Sequence, residues 1–404
     1  MPVLGSKNNV YGGIFQATAS GAIANGKACI INANGTVSQA GPVAGGMLQI
    51  QQTQRIYGFF LATPFDTTAT TSGTFTQAVQ ASVYTDSYYT NGGTGQLAAN
   101  TTDIQDFRYN ADGTKMFVID RTNTTANSAI REFTVSPAYA LNAITYVDGY
   151  VIGSKTTHPR GLAFKTDGTE MYVVSYGDSN VHQWTLSTGF DVSTASFTRT
   201  LDTTRADYGQ AITFKPDGTK MYITENTAEA TDQYTLSTAW DISTASYDSV
   251  TLDHSAYETS PEGSVFNDDG TKFYITGDDN NDVVEYALSS AYALNTASYT
   301  AKTDVYYNNW FGINFAPAVN ANNSNYVGIS VGAVSDGQTA SIRVLGGLDT
   351  NQSGLTPNAL AYIQQDGSIS STSASTVAGW ALSPTTILIR GNYKGAYENS
   401  GVLL

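Results

Sequence analysis

The sequence predicts an all-β fold, and its composition, its internal repeats and its turn signals each point to it. Of the 404 residues only 13% are charged, whereas 38 are Gly and 26 are Tyr. This composition favours strands and tight turns over amphipathic helices, which need Glu, Lys, Leu and Arg in quantity. The length also allows two or three domains with sizeable cores.

A short stretch with an Asp-Gly pair at its centre occurs four times. FKPDGTKMYIT (214–224) is one copy, and the Asp-Gly pairs of all four fall at 112–113, 167–168, 217–218 and 269–270. Each pair stands between two runs in which apolar and polar residues alternate. Asp-Gly between such runs indicates a β-hairpin, because the turn needs a positive φ that Gly adopts freely.

Each copy continues into a second, equally regular half. The four continuations cover 130–146, 181–197, 231–247 and 283–299. They share an alternating strand, a Leu-Ser or Val-Ser hinge, an aromatic residue shortly after it and a last strand. Each repeat of about fifty residues therefore predicts four short strands, which is the size and content of one β-propeller blade.

Incomplete copies stand on either side of the four repeats. Residues 56–75 resemble the second half of a repeat, and residues 311–329 resemble the first half. Two half-repeats predict a ring closed by a composite blade, which removes exposed sheet edges. We therefore expect a propeller of about five blades, four continuous and one composite, over 51–324. A ring of four blades, a larger ring and a β-repeat stack that never closes are the alternatives.

The segments outside the ring, 1–50 and 325–404, read as small antiparallel β-modules. Both contain alternating runs separated by Asn-Gly or Asp-Gly. Because the two segments flank the ring, we expect them to pair into one domain with the propeller inserted between them. Insertion is tolerated where the ends of the guest lie close together, as they do in a closed ring.

The flanking segments resemble modules of structural proteins of tailed bacteriophages, particularly marine ones. The resemblance rests on ASGAIANGKACIINANGTVSQAG (19–41), GLTPNALAYIQQDGSIS (354–370) and VAGWALSPTTILI (377–389). In those proteins the module belongs to fibres or other exposed virion components, and it is often trimeric. The resemblance therefore implies a virion component that assembles in a bacterial cytoplasm with other virion proteins as partners, and as a homo-oligomer, with a trimer favoured.

Charge and hydropathy exclude two classes of partner. The net charge of −15 repels phosphate backbones and anionic lipid, so we expect no nucleic-acid binding. No apolar stretch approaches the length of a membrane span and no signal peptide is recognisable, so we expect no membrane insertion. Cys29 is the single cysteine and excludes an intramolecular disulfide.

No catalytic motif is recognisable in the sequence. The three histidines, His158, His182 and His254, lack the spacing of a zinc site, and the Asp-Gly pairs lack the frame of a calcium loop. Phosphate loops, dinucleotide fingerprints and nucleophile elbows are also missing. We therefore expect no catalytic residue, no metal and no cofactor, and we expect that the protein is not an enzyme.

The loops between the second and third strands of each repeat are the candidate binding elements. The strands repeat while these loops differ, and rigid frames commonly present binding residues in this way. The aromatic clusters at 87–93 and 305–312 could stack on sugars, although burial at ring closure explains them equally well. Asp278, Asp279 and Asp282 could hold a hard cation, although a solvated acidic loop is the simpler interpretation. The candidate ligand-binding residues are His158, Tyr176, Glu225, His254, Asp278, Asp279, Asp282 and Trp310.

The function predicted from the sequence is that of a non-enzymatic virion structural protein. It would be a tail-fibre or capsid-decoration component that displays the propeller for attachment to a host-surface glycan. One alternative is a propeller glycosidase or depolymerase, which carboxylates converging near the ring axis would favour. The other is an architectural cement or collar protein, whose ring surface would contact neighbouring subunits.

Overall fold

The computed structural model describes most of the chain. The described residues are 13–32, 34–52, 55–61, 65–67, 77–82, 103–121, 127–136, 138–139, 144–156, 158–178, 180–203, 208–278, 282–304, 310–319, 321, 326–364, 367–371 and 376–390. Their regular structure is almost entirely β-strand, with short 3-10 helices at Val192–Thr194, Ile242–Thr244 and Leu294–Thr296. None of the helices in these ranges has the length and hydropathy that a membrane span requires.

Thirty strands follow one another in the part of the chain that the structure describes. The first six are β1 (Ile14–Thr18), β2 (Ala28–Ile31), β3 (Val37–Gln39), β4 (Pro42–Gln52), β5 (Arg55–Phe60) and β6 (Gln77–Ser82). The repeats then supply β7 (Asp103–Tyr109), β8 (Lys115–Arg121), β9 (Ala129–Val135), β10 (Ile144–Val151), β11 (Pro159–Phe164), β12 (Glu170–Ser175), β13 (Asn180–Leu186), β14 (Ala195–Asp202), β15 (Gly209–Phe214), β16 (Lys220–Glu225), β17 (Ala230–Leu236), β18 (Ala245–Asp253), β19 (Pro261–Phe266), β20 (Lys272–Gly277), β21 (Asp282–Leu288) and β22 (Ala297–Asp304). The last eight are β23 (Trp310–Val319), β24 (Tyr326–Ser330), β25 (Thr339–Val344), β26 (Leu348–Asp349), β27 (Leu360–Ile363), β28 (Ile369–Ser370), β29 (Val377–Ser383) and β30 (Thr386–Ile389).

The four repeats form four antiparallel sheets of four strands each. Blade 1 is β7–β10, blade 2 is β11–β14, blade 3 is β15–β18 and blade 4 is β19–β22, and within each blade the strands pair in chain order. A fifth sheet of four strands has the order β23-β4-β5-β6 and is the composite blade. The predicted all-β propeller with four continuous blades and one composite blade is therefore confirmed.

The composite blade draws on the chain differently from the expectation. Its first strand, β23, comes from the C-terminal side, and its other three strands come from the N-terminal side. The expected half-repeat 311–329 would have supplied two strands, but β24 pairs with β2 and β25 outside the ring. The second-strand position belongs to β4, which is joined to β23 by no hairpin, so no Asp-Gly pair marks it in the sequence.

The aromatic residue of each repeat covers the Asp-Gly turn of its own blade. In blade 3 the Trp240 amide donates to the Gly218 carbonyl oxygen at 3.0 Å, and Gly218 has a φ of 72°. A Cβ on Gly218 would lie 2.3 Å from Trp240 Nε1. The same arrangement joins Tyr139 to Gly113, Phe190 to Gly168 and Tyr292 to Gly270.

The carbonyl of each of these aromatic residues then accepts a hydrogen bond from the preceding blade. The Tyr172 hydroxyl donates to the Trp240 oxygen at 2.6 Å, and the Tyr222 hydroxyl donates to the Tyr292 oxygen at 2.5 Å. The remaining donors are Lys115 to Phe190, Tyr274 to Phe65 of the composite blade, and Gln49 of the composite blade to Tyr139. Five bonds between neighbouring blades thus run once around the ring and close it.

The chain divides into two compact units. The ring is Met47–Ala316, and the flanking unit combines Met1–Gly46 with Pro317–Leu404. The expected boundaries followed residues 50 and 324. The observed divisions instead fall within β4 and β23, because these two strands extend beyond the residues that match the repeats. The flanking unit has two five-stranded sheets, of order β1-β25-β24-β2-β3 and β26-β30-β29-β27-β28. A shared core that includes Ile30, Ile329 and Ile387 packs between them.

Candidate functional site

Four side chains occupy the same position in the repeat. They lie on the first strand of each continuous blade (β7, β11, β15 and β19), which is the inner strand, nearest the ring axis. The register pairs Phe107, Leu162, Ile212 and Ser264 with equivalent residues of the second strands of their blades. The residues two places earlier in those inner strands are Gln105, Arg160, Gln210 and Glu262. We refer to these four residues as the axial cluster. Arg160 of blade 2 lies 3.5 Å from Glu262 of blade 4, a separation that only side chains near the ring axis can reach.

Hydrogen bonds hold the basic side of the axial cluster in place. Arg160 Nη1 donates to Gln105 Oε1 at 2.5 Å, and Gln105 Nε2 donates to Asp103 Oδ1 at 2.6 Å. Asp103 Oδ2 in turn accepts from Arg121 Nε at 2.9 Å. The Gln105 amide and, behind it, the Asp103–Arg121 ion pair therefore fix the direction of the Arg160 guanidinium, whose side chain is 14% exposed.

The acidic side of the axial cluster is buried and incompletely hydrogen-bonded. Glu262 is 9% exposed and Gln210 is 3% exposed. Among the described residues neither Glu262 Oε2 nor Gln210 Oε1 has a hydrogen-bond partner. Burial raises the pKa of Glu262 to about 7, against the opposing positive charge of Arg160. Buried acceptors without a partner are rare, and each requires an explanation such as bound water or a ligand.

Tyr176 lies beside Arg160, and Tyr208 packs against Tyr176. The ring centroids of Tyr176 and Tyr208 are 4.5 Å apart, and the Arg160 guanidinium carbon lies 5.2 Å from the Tyr176 centroid. Tyr208 is 44% exposed and has a φ of 67°, an unusual backbone conformation for an aromatic residue. The axial cluster is therefore bordered by an aromatic surface that is partly open to solvent.

One residue further along the inner strands, neighbouring blades are in direct contact. A Cβ on Gly161 would lie 2.7 Å from Ala211 Cα, so the backbones of blades 2 and 3 are already in contact there. In blade 1 the equivalent residue is Asp106, whose carboxylate accepts from the amides of Phe107 and Leu162, each at 2.8 Å. Burial raises the pKa of Asp106 to about 6. Its hydrogen bonds join blades 1 and 2, which assigns Asp106 a structural role.

The two histidines predicted to bind ligand differ in their surroundings. His158 is exposed and immediately precedes β11. His254 is fully buried, with Nε2 2.8 Å from Thr231 Oγ1 and Nδ1 3.2 Å from the Tyr286 hydroxyl. Burial lowers the pKa of His254 to about 3, so the imidazole is neutral. Contrary to the expectation, His254 belongs to the packing between strands and connections and does not reach the loop face.

The predicted acidic and aromatic candidates are dispersed. Glu225 is buried at the end of β16, and Asp282 is buried and lies 2.8 Å from Lys302 Nζ. Asp278 is half-buried, and its charge adds to the raised pKa of Glu262. Asp279 lies outside the described residues, and Trp310 begins β23, where the backbone alone is described. In the described ranges no three His, Cys, Asp or Glu side chains could hold a metal ion.

Sequence reasoning missed the residues that the structure brings together. Tyr176 and Asp278 were predicted and lie at or near the axial cluster, whereas Arg160, Gln210 and Glu262 were not considered. A signal was present, because aligning the repeats places charged and amide residues in one column of otherwise buried strands.

No known protein family and no curated protein matches the chain. Solved structures do, among them the periplasmic gluconolactonase of Pseudomonas aeruginosa, with 12% identity over 82% of this chain and 88% of that one, at a TM-score of 0.36. The β-propeller domain of Cps50 (Swd1) from Myceliophthora thermophila matches with 8% identity over 82% and 100%, at a TM-score of 0.36. A candidate 6-phosphogluconolactonase of Bacteroides uniformis matches with 16% identity over 67% and 71%, at a TM-score of 0.37.

At such identities these likenesses concern the propeller fold. The names of the matched structures nevertheless contradict the expectation that the protein is not an enzyme, because two of the three are named as lactonases. We therefore withdraw that expectation. The sequence lacked local catalytic motifs, but a propeller assembles side chains of different blades at its axis, where no local motif records them.

Proposed function

We propose that the ring binds a carbohydrate at the axial cluster, as part of an exposed phage component that attaches to a host surface. The observation that carries the proposal is two buried acceptors of the axial cluster, Glu262 Oε2 and Gln210 Oε1, of which the first lies 3.5 Å from Arg160 Nη1. Sugar hydroxyls both donate and accept hydrogen bonds. They can satisfy the two acceptors and accept from the guanidinium in one arrangement.

The surroundings of the axial cluster suit the same ligand. Tyr176 and Tyr208 offer aromatic faces on which the apolar face of a sugar ring packs. The side chains of the axial cluster project from inner strands, so binding orders little additional chain. The raised pKa of Glu262, about 7, leaves its carboxyl group only partly ionised near neutral pH, which favours an uncharged ligand over a strongly charged one.

The proposed place of the protein on a virion rests on the resemblance of the flanking segments. In this proposal the flanking unit, in which β1 and β2 pair with β25 and β24, anchors the chain to other virion proteins as a trimer. The ring is then the part that meets the host glycan. The chain would be assembled in the bacterial cytoplasm and act on the particle outside the cell.

A glycosidase is less well supported than binding. Most glycosidases place two carboxyl groups on either side of the scissile bond. Within the axial cluster Glu262 is the one carboxylate, and the carboxylate of Asp106 is occupied by backbone amides and Arg108. An architectural collar or cement role would leave the axial cluster without a ligand. The following binding experiment therefore distinguishes that role from carbohydrate recognition.

Replacing Gln210 by Leu removes one of the two buried acceptors at nearly constant volume. We expect affinity for the recognised polysaccharide to fall about tenfold, the equivalent of one hydrogen bond. The measurement is titration calorimetry against a panel of bacterial surface polysaccharides. Gln16→Leu, at an exposed side chain of β1, is the matched control and should bind as the natural chain does. Failure of the natural chain to bind any member would contradict carbohydrate recognition.

A further inference from the structure

The axial cluster contains the parts of an acid–base site as well as those of a binding site. Resting on the proposed carbohydrate ligand, we propose that Glu262 and Arg160 hydrolyse a carboxylic ester carried by that ligand, such as an O-acetyl group on a sugar. The substrate class is then an esterified saccharide.

Geometry assigns the two roles. Glu262 Oε2 accepts no hydrogen bond from the described residues, so a water molecule can donate to it. Arg160 Nη1 lies 3.5 Å from the same oxygen, so a water held by Glu262 and a carbonyl oxygen held by the guanidinium would lie side by side. Gln105 receives a hydrogen bond from Arg160 and so acts as a positioning residue. The guanidinium is held before the substrate arrives, as a preorganised oxyanion site requires.

The proposed reaction is one hydrolysis with no further reactant. Glu262 takes a proton from water as the water oxygen bonds to the ester carbonyl carbon, and the carbonyl electrons move to its oxygen beside Arg160. The tetrahedral intermediate then re-forms the C=O bond and breaks the bond to the sugar oxygen. The leaving alkoxide receives the proton from Glu262. The products are a carboxylic acid and the free sugar hydroxyl, and Glu262 is restored as carboxylate.

The charges that face Glu262 agree with a role as base. Burial raises the pKa of Glu262, as do Asp278 and Glu258, whereas Arg160 and Arg121 lower it, and the resulting pKa is about 7. A base with such a pKa is largely ionised just above neutrality and still takes up a proton readily. The rate should therefore rise as pH increases through about 7 and then level off.

The test uses the full chain with acetylated xylo-oligosaccharides and 4-nitrophenyl acetate as probes. Acetate release is followed by NMR from pH 5 to 9 in the natural chain, Glu262→Gln and Arg160→Lys. Glu170→Gln is the matched control, because Glu170 lies on β12 and hydrogen-bonds Gln183 and Thr185 instead of the axial cluster. Oligosaccharide binding is measured on the same samples by calorimetry.

The proposal expects acetate release that falls at least a hundredfold in Glu262→Gln while binding is retained and Glu170→Gln is unchanged. Arg160→Lys should lower kcat more than it changes KM, because the guanidinium acts on the oxyanion. Binding without acetate release at any pH would overturn hydrolysis and leave carbohydrate recognition standing. Release that persists in Glu262→Gln would also overturn it. Absence of both binding and release would overturn both proposals.

Discussion

At the scale of single residues, burial sets the charge of three groups within the ring. It lowers the pKa of His254 to about 3 and raises the pKa of Asp106 to about 6 and that of Glu262 to about 7. As the pH falls, protonation of the two carboxyl groups stabilises the folded state, whereas protonation of His254 destabilises it. Their effects on stability therefore oppose each other as the pH falls, and variants must be compared with the natural chain at each pH.

His254 provides a pH-dependent prediction. Its folded pKa lies below the ordinary value near 6.5, so its contribution to stability is complete above pH 6.5 and is lost as the pH falls towards 3. His254→Gln keeps a polar group but cannot be protonated. At neutral pH the variant should be less stable, because the contacts with Thr231 and Tyr286 change. By pH 5 the difference should shrink by about 2 kcal/mol.

Urea denaturation at pH 5, 6, 7 and 8 measures this difference. Tyr286→Phe is the control, because it removes one hydrogen-bond partner of His254 and retains the imidazole. Its difference from the natural chain should stay nearly constant over the same range. A His254→Gln difference that is constant or grows towards low pH would show that the imidazole is not held neutral.

At the scale of elements, each blade depends on one aromatic residue with a positive φ. The backbone φ lies between 57° and 68°, a range that residues other than Gly rarely adopt, at Tyr139, Phe190, Trp240 and Tyr292. Each covers an Asp-Gly turn and offers its carbonyl to the preceding blade. The repeat retains an aromatic residue there because one residue serves a turn, a packing contact and a contact between blades.

Gly218→Ala tests this arrangement. The new methyl would meet the Trp240 ring at about 2.3 Å, and the backbone φ of 72° is itself unfavourable to Ala. We expect a loss of about 3 kcal/mol in unfolding free energy, of which about 1 kcal/mol is backbone strain. The measurement is equilibrium denaturation followed by circular dichroism.

A double-mutant cycle separates the two contributions. In a Trp240→Ala background the ring is gone, so Gly218→Ala should cost only the backbone part. An equal cost in both backgrounds would mean that the Trp240 ring does not restrict the turn. That result would contradict the role assigned to the aromatic residue.

At the scale of the whole molecule, strands from distant parts of the chain close both units. In the ring, Thr67 donates its amide and hydroxyl to Glu285 Oε2 at 3.0 and 2.7 Å, and β4 pairs in one sheet with β23. In the flanking unit, β1 pairs with β25 and β2 with β24. Each unit is therefore held together by segments more than two hundred residues apart.

A protease site inserted after residue 95 tests this closure. Cutting there separates β1–β6 from all later strands, yet the two fragments should remain associated and keep their β-sheet signal, because both units still pair across the cut. Size exclusion with light scattering measures the mass before and after cleavage. The proposed trimer predicts three chain masses in both samples. Fragments that elute separately would contradict closure by the composite blade, and a monomer would contradict the trimer.

The sequence by itself determined the repeated part of the protein. Asp-Gly pairs such as Asp217-Gly218, with alternating residues on both sides, specify a hairpin through local backbone preferences, and four copies specify the blades. It also indicated a composite blade. Such features depend on neighbours in the chain, so the pattern of residues is sufficient to predict them.

Only the tertiary structure decided which residues meet. That β4 and not β24 completes the composite blade, that His254 is buried and neutral, and that Arg160 meets Glu262 all depend on contacts between distant segments. The repeat alignment gives the column of the axial cluster, but distances and burial follow from the packing of inner strands around the axis. The burial that raises the pKa of Glu262 exists only when the ring is closed.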